Sequence, residues 1–195
     1  MSDDYSQPQF YRFNSDSITL IDRIVQKRFQ VGSIMDLGTG CGIIGLELVR
    51  RIKTEKLVLV ELQREYLVHL EDNCRRFLPS EVEVSILITS FGELQLSQKF
   101  DLIVSNPPYY FPHSGVLSKD LNRARARAFL VDSLEILLQK IAYFLAPEGH
   151  AFLVLKNDET LLKTAEKQAI HAGLASTQSL VNGVMILELF ALNKK

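Results

Sequence analysis

The sequence predicts a doubly wound, three-layer α/β domain, and three observations carry that prediction. Short apolar runs alternate with segments of helical spacing along most of the chain, and a glycine cluster follows the first run at Asp36-Leu37-Gly38-Thr39-Gly40-Cys41-Gly42. The tail differs, with two strand-like runs on either side of Asn182-Gly183. Alternating strand and helix signals give parallel strands covered by helices on both faces, whereas Asn-Gly between such runs is the strongest short-range signal for an antiparallel hairpin.

Taken in order, residues 1–30 read as an N-terminal extension and helix, with Asn14, Ser15 and Asp16 as possible caps and Ile18, Ile21, Val25 and Phe29 as the apolar stripe. Residues 33–37 form the first strand, and residues 43–52 a helix spaced by Ile44, Leu48 and Ile52. The continuous apolar run 56–61 is a second strand, 65–77 a helix, 82–89 a third strand and 100–105 a fourth. Asp132 caps a helix with Glu135 at N3, which runs to Leu145 before Pro147 and Gly149 break it ahead of a strand at 151–155. A last helix spans about 159–171 and ends at Gly173, and runs 175–181 and 184–192 pair as the hairpin. The expectation is one domain over residues 1–195, with five parallel strands and a closing antiparallel pair.

Composition narrows the classes. The net charge of −1 and pI near 6.4 give no global footprint for nucleic acid, so such a partner would be held by a local patch. Cys41 and Cys74 stand far apart, and His69, His113, His150 and His171 are scattered, so neither a disulfide nor a metal site is expected. The first residues lack the basic start and apolar run of a signal peptide, and no apolar stretch suits a bilayer. The cytoplasm is the expected compartment, with no membrane partner. Nothing in the sequence indicates an oligomeric state.

Glycines at a strand-to-helix turn let a ligand approach where a side chain would collide, so Gly38, Gly40 and Gly42 outline a nucleotide-type pocket. Gly40, Gly42 and Gly45 also satisfy the dinucleotide pattern G-x-G-x-x-G, and Glu61, about twenty residues on, suits the hydroxyls of a ribose in either kind of cofactor. Asp36 separates the two. A carboxylate just before the glycines repels a pyrophosphate but attracts, directly or through water, the ammonium of an amino-acid moiety. That favours S-adenosylmethionine over NAD.

The fourth strand ends in Asn106-Pro107-Pro108-Tyr109-Tyr110, which can neither continue a ladder nor start a helix comfortably. In a doubly wound sheet the first and fourth strands are neighbours at the switch point, so this loop and the glycine turn face one crevice. An amide or exocyclic nitrogen is a poor nucleophile until it shifts towards sp³. The side-chain oxygen of Asn106 and the carbonyl of Pro107 are suited to accept its two N–H bonds and favour that shift. Tyr109 offers a flat face for a planar acceptor, with Pro108 and Tyr110 beside it. Residues 111–122 read as a polar cover loop. Arg123, Arg125 and Arg127 follow at alternate positions as a phosphate-binding stripe, with a solvated charged face as the plainer alternative. Tyr11, Arg12 and Phe13 suit packing over a cofactor or base, or ordinary core packing.

The segment 36–42 together with 106–109 resembles class I S-adenosylmethionine-dependent methyltransferases of the amino-group type. FYRFNSDSITLID, NPPYY and NRARARAFL further resemble the bacterial tRNA1(Val) adenine-N6 methyltransferase family. The resemblance implies a Rossmann-like, mostly parallel seven-stranded sheet whose last strand is antiparallel. It also implies S-adenosylmethionine as cofactor and an adenine N6 acceptor in tRNA or other structured RNA. It makes Asn106, Pro107 and Tyr109 catalytic, with Asn106 also bordering the cofactor. Many relatives carry an acidic residue near the cofactor adenine where this chain has Ser90-Phe91-Gly92, so Ser90 and Phe91 are the expected contacts there. Protein glutamine or another RNA base shares the same acceptor chemistry. From other classes, an NAD-linked oxidoreductase and a catalytically silent activator subunit remain as alternatives.

Overall fold

The computed structural model describes residues 5–10, 13, 15–107 and 131–192. The expected cap Asn14, the segment with Tyr11 and Arg12, the loop 111–122, and Pro108, Tyr109, Tyr110, Arg123, Arg125 and Arg127 lie outside the described residues.

The chain opens with α1 (Ser15–Gln26), then β1 (Ser33–Leu37), α2 (Ile43–Val49) and β2 (Lys56–Glu61). A single 3₁₀ turn (Arg64–Tyr66) leads into α3 (Leu67–Phe77), followed by β3 (Glu83–Ile88) and β4 (Phe100–Ser105). The second half holds α4 (Leu134–Phe144), β5 (Leu145–Leu155), α5 (Glu159–His171), β6 (Leu174–Val181) and β7 (Val184–Ala191). Among the described residues seven strands make one sheet in the order β3-β2-β1-β4-β5-β7-β6. The first five are parallel and β7 runs antiparallel between β5 and β6, so the doubly wound class expected from the alternation holds. β1 lies between β2 and β4, which puts the switch point at the carboxyl ends of β1 and β4.

Because strand side chains alternate, each face of the sheet has its own core. Ile34, Leu57, Leu59, Leu102 and Val104 pack under Leu20, Ile21 and Ile24 of α1, the apolar residues of α2 and Leu70 of α3. Met35, Leu37, Val58, Val60, Ile103 and Leu153 pack against Leu137, Leu138 and Ile141 of α4 and Leu162, Ala165 and Ala169 of α5. Among the described residues no helix is long and apolar enough to cross a membrane.

Three local expectations change. The buried face of α1 is Ser17, Leu20, Ile21 and Ile24 rather than the stripe through Ile18 and Val25, and Phe29 lies beyond the helix end, where Arg28 turns left-handed at φ 55°. The cap of α4 is Ser133, whose hydroxyl accepts from the Ile136 amide at 3.2 Å. Asp132 instead accepts from the amides of Phe91 at 2.9 Å and Gly92 at 3.0 Å, a long-range use that its place in the sequence does not reveal. β5 begins at Leu145, not at residue 151. Phe100 pairs with Leu145 while Leu102 pairs with His150, so a bulge absorbs Pro147 and Gly149. A Cβ at Gly149 would stand 2.9 Å from the Phe100 carbonyl oxygen, which explains the glycine. The hairpin forms as its dipeptide demands, with φ of 49° at Asn182 and 80° at Gly183.

Candidate active site

On the face covered by α1, α2 and α3, the apolar phase of three neighbouring strands turns polar at the carboxyl edge. Ile34 gives way to Asp36, Leu57 and Leu59 to Glu61, and Leu102 and Val104 to Asn106. Period-two alternation thus delivers two carboxylates and a carboxamide to one side of the switch point.

Between them runs the glycine turn, with φ of 73° at Gly38, 58° at Gly40 and 87° at Gly42, a left-handed region that side-chain-bearing residues rarely enter. Gly45 meets a different demand. A Cβ there would lie 2.7 Å from Leu59 and 3.0 Å from Leu57, so its absence lets α2 sit directly on β2. The turn uses up much of its own donor capacity. The amides of Gly38 and Thr39 reach the Val60 carbonyl at 2.9 and 3.0 Å, that of Gly40 reaches Glu61 Oε2 at 2.8 Å, and that of Gly42 reaches the Thr39 carbonyl at 3.0 Å.

The two carboxylates brace this turn and are themselves buried, Asp36 at 0% and Glu61 at 5% exposure. Oδ2 of Asp36 accepts from the Thr39 hydroxyl at 2.7 Å and the Gly45 amide at 3.0 Å, while its Oδ1 is buried with no hydrogen-bond partner among the described residues. Burial pushes the Asp36 carboxyl up to about 6, against the pull of those two bonds. Glu61 accepts from the Gln63 amide at 2.9 Å through Oε1 and from Gly40 through Oε2. Burial raises it to about 7, opposed by its backbone bonds and assisted by the charge of Asp36. With four amides committed and two carboxylates underneath, the turn suits a cationic centre and offers a poor cradle for a pyrophosphate.

A cleft open to solvent lies over the turn. Gly38, Thr39 and Gly40 line one side, and Asn106 and Ser17 another. The glycine turn and the carboxamide therefore border a common cavity. Asn106 Nδ2 donates to the Ser17 hydroxyl at 3.0 Å, which ties the end of β4 to the first turn of α1. Of the other expected cofactor residues, Asp36 and Glu61 support the turn from within, Gly42 closes it, and Phe91 stands beside it, 3.5 Å from where a Gly38 Cβ would be. Ser90 accepts from the Glu93 amide at 3.2 Å and donates to Glu93 Oε2 at 3.1 Å, so its hydroxyl is engaged locally with Glu93. Pro107 is buried immediately after Asn106. Among the described residues no group of three His, Cys, Asp or Glu side chains stands together as a metal site.

Sequence reasoning missed three contributors to the cleft, namely Ser17, Gln7 and Tyr66. Ser17 carried one legible signal, since a buried stripe through Leu20, Ile21 and Ile24 also includes position 17. Gln7 and Tyr66 carried none, because their place depends on how the segment before α1 folds back.

Comparison with known proteins bears on this geometry. A family model described as methyltransferase small domain matches residues 12–167. A tRNA1(Val) (adenine(37)-N6)-methyltransferase of Glaesserella parasuis is 34% identical over 125 residues, covering 64% of this chain and 52% of that protein. The protein of the same name from Shewanella halifaxensis is 31% identical over 155 residues, covering 76% of this chain and 62% of that one. The chain thus spans between about half and two thirds of the length of these relatives. Among solved structures, the N-methyltransferase NodS of Bradyrhizobium japonicum in complex with S-adenosyl-l-homocysteine aligns with a TM-score of 0.62 at 15% identity, covering 89% of this chain and 84% of that one. The glycopeptide N-methyltransferase MtfA complexed with S-adenosylmethionine gives a TM-score of 0.67 at 12% identity, covering 92% and 96%. At such identities the likeness concerns the fold alone. With its family match running across most of the chain, the protein belongs to the methyltransferase small domain family.

Proposed function

We propose that this chain is an S-adenosylmethionine-dependent N-methyltransferase, acting as one domain in the cytoplasm on the N6 amino group of an adenine in tRNA. The observation that carries the reading is the shared cleft, with a carboxamide on one wall and, on the other, a glycine turn braced by buried carboxylates. The residues fit the cofactor. Oδ1 of Asp36, without a partner among the described residues, would favour a cationic group through water, and Glu61 would offer its remaining lone pairs to ribose hydroxyls. Phe91, against the turn, would flank the cofactor adenine, while Ser90, its hydroxyl engaged by Glu93, would act there through the loop it helps to hold.

When bound, the cofactor supplies an electrophilic methyl group. The protein's own task is to make a conjugated amine nucleophilic. Asn106 would accept one N–H bond through its side-chain oxygen and Pro107 a second through its carbonyl, both placed for the positive charge that grows on nitrogen. Ser17, bonded to Nδ2 of Asn106, would help to hold that carboxamide in place beside the acceptor. The acceptor nitrogen held in this way would take up the methyl group, and its displaced proton would pass to water. Tyr109 would stack on the base with Pro108 and Tyr110 alongside, and Arg123, Arg125 and Arg127 would hold backbone phosphates.

The names of the relatives support tRNA adenine as the acceptor. The committed amides of the glycine turn weigh against an NAD-linked reaction. The test is incubation with methyl-labelled cofactor and separate pools of unmodified tRNA, rRNA and protein. Label recovered as N6-methyladenosine from tRNA is the expected result. Label in protein glutamine would replace the acceptor, and no transfer by a chain that still binds the cofactor would leave an activator subunit.

A further inference from the structure

A second layer of the cleft comes from the segment ahead of α1, and one side chain not used so far holds it in place. Gln7 and Phe13 line the cleft together with Cys41 and Tyr66, and the Phe13 amide donates to Gln7 Oε1 at 3.2 Å. This short strap belongs to no strand or helix, so its position depends on anchors. Phe10 meets Tyr66 edge-on at 5.4 Å. Tyr5 stacks on Phe77 at 4.5 Å and donates to Glu47 Oε1 at 2.9 Å, and the Ser6 hydroxyl pairs with His69 Nδ1 at 2.8 Å.

The central anchor is Asn73, on α3 and 0% exposed. Its Oδ1 accepts from the Ser6 amide at 2.8 Å, and its Nδ2 donates to the Ser6 carbonyl at 2.9 Å and to the Cys41 carbonyl at 2.8 Å. The carboxamide thus pairs with Ser6 as a neighbouring strand would, while its second N–H grips the glycine turn between Gly40 and Gly42. The orientation is unambiguous, because a flipped amide would set N–H against N–H and oxygen against two carbonyls. An isosteric aspartate or leucine cannot replace it, since neither supplies the two donors.

We infer that the strap formed by residues 5–10 and 13 is the outer wall of the donor half of the cleft, and that Asn73 is the positioning residue that sets this wall against the glycine turn. The inference rests on the methyltransferase reading above for the identity of the ligand. It explains why a fully buried carboxamide joins two segments that share no secondary structure. Donor affinity then depends on an anchor outside the cleft lining, whereas acceptor binding on the Asn106 side does not.

Asn73→Ala leaves three backbone groups without partners, so it frees the strap and slackens the turn together. Titration calorimetry with S-adenosylmethionine should show Kd rising about tenfold or more, while KM for the RNA changes by less than about threefold. Hydrogen exchange supplies an independent readout. The Ser6 amide should be protected further by S-adenosylmethionine in the wild type and remain fast in the variant. Should Asn73→Ala not fold, Tyr5→Phe removes a strap anchor that does not line the cleft, and its Kd should rise about threefold. Wild-type binding, together with a folded Asn73→Ala or Tyr5→Phe variant whose Kd stays within about twofold, would overturn the inference alone. Failure of the wild type to bind S-adenosylmethionine at all would instead remove the methyltransferase reading.

Discussion

The two faces of the sheet are built from the same strands and end differently. Under α4 and α5 the inward phase stays apolar to its end through Leu37, Val60 and Leu155, and the hydroxyl of Ser105 is satisfied within the fold by the Leu37 carbonyl at 2.7 Å. Under α1, α2 and α3 the strands β1, β2 and β4 finish in Asp36, Glu61 and Asn106, and one oxygen of the buried Asp36 carboxylate has no partner among the described residues. One face is closed by apolar packing near its strand ends, and the other brings polar side chains to the cleft and the turn beneath it. Burying groups that water would stabilise is unfavourable, so the second face holds its geometry at a cost in stability that the first must offset.

The sharpest way to test that division is Asn106→Ala. Turnover should fall by about 10²- to 10³-fold, the scale of losing one preorganised hydrogen-bonding group at a reacting centre. Cofactor Kd should stay within about threefold, since the donor contacts are assigned to the turn. Single-turnover kinetics at saturating RNA, with calorimetry alongside, checks both parts. Loss of cofactor binding in a folded variant would dissolve the distinction between the donor and acceptor walls. The mirror experiment is Leu138→Ala on the closed face. This fully buried side chain of α4 should cost about 2–5 kcal/mol in urea unfolding yet leave cofactor Kd of the folded protein unchanged.

A subtler difference is written in pH. Asp36 is raised from 3.8 to about 6 and Glu61 from 4.5 to about 7, so the folded ligand-free protein holds these protons more tightly than the unfolded chain does. The contribution is fully present below about pH 4 and is lost as pH rises, through about 6 for Asp36 and about 7 for Glu61, amounting to about 3 kcal/mol for each. The ligand-free protein should therefore lose melting temperature between about pH 4 and 7, and Asp36→Asn should flatten part of that slope. S-adenosylmethionine should bind more tightly over the same rise, because its cationic groups favour the ionised carboxylates. A wild-type slope identical to that of Asp36→Asn would mean the buried aspartate is not where the cost lies.

Legibility divides along similar lines. The parallel strands and the hairpin followed from alternation and from Asn182-Gly183, because period and turn chemistry are local properties. Asp36, Gly38, Gly40 and Asn106 could be singled out because each breaks a local rule, a charge at the end of an apolar run or a carboxamide before two prolines. What escaped depends on distant partners. Asp132 and Ser133 are equally good caps on paper, and only contact with residues 91 and 92 assigns Asp132 to another task. Asn73 and Gln7 look like ordinary surface residues until the strap folds back across α3. Pro147 and Gly149 read as breakers, whereas the register shift opposite Phe100 lets the strand pass through them.

Ser17 gives the smallest predicted effect and the finest test of the open face. It is 3% exposed in the apolar stripe of α1, where a serine gains little by burial unless its hydroxyl is bonded, and the bond it makes is to Asn106. Ser17→Ala removes that tether without introducing bulk, so stability should change by only about 1 kcal/mol. Losing that bond would leave the Asn106 carboxamide less firmly placed against the acceptor, and turnover at saturating substrates should drop about tenfold with cofactor Kd unaltered. Ser17→Thr retains a hydroxyl and should recover most of the rate, which a purely structural role would not require. Full turnover in Ser17→Ala would mean that the carboxamide is oriented by the chain after β4 rather than by the helix before the sheet.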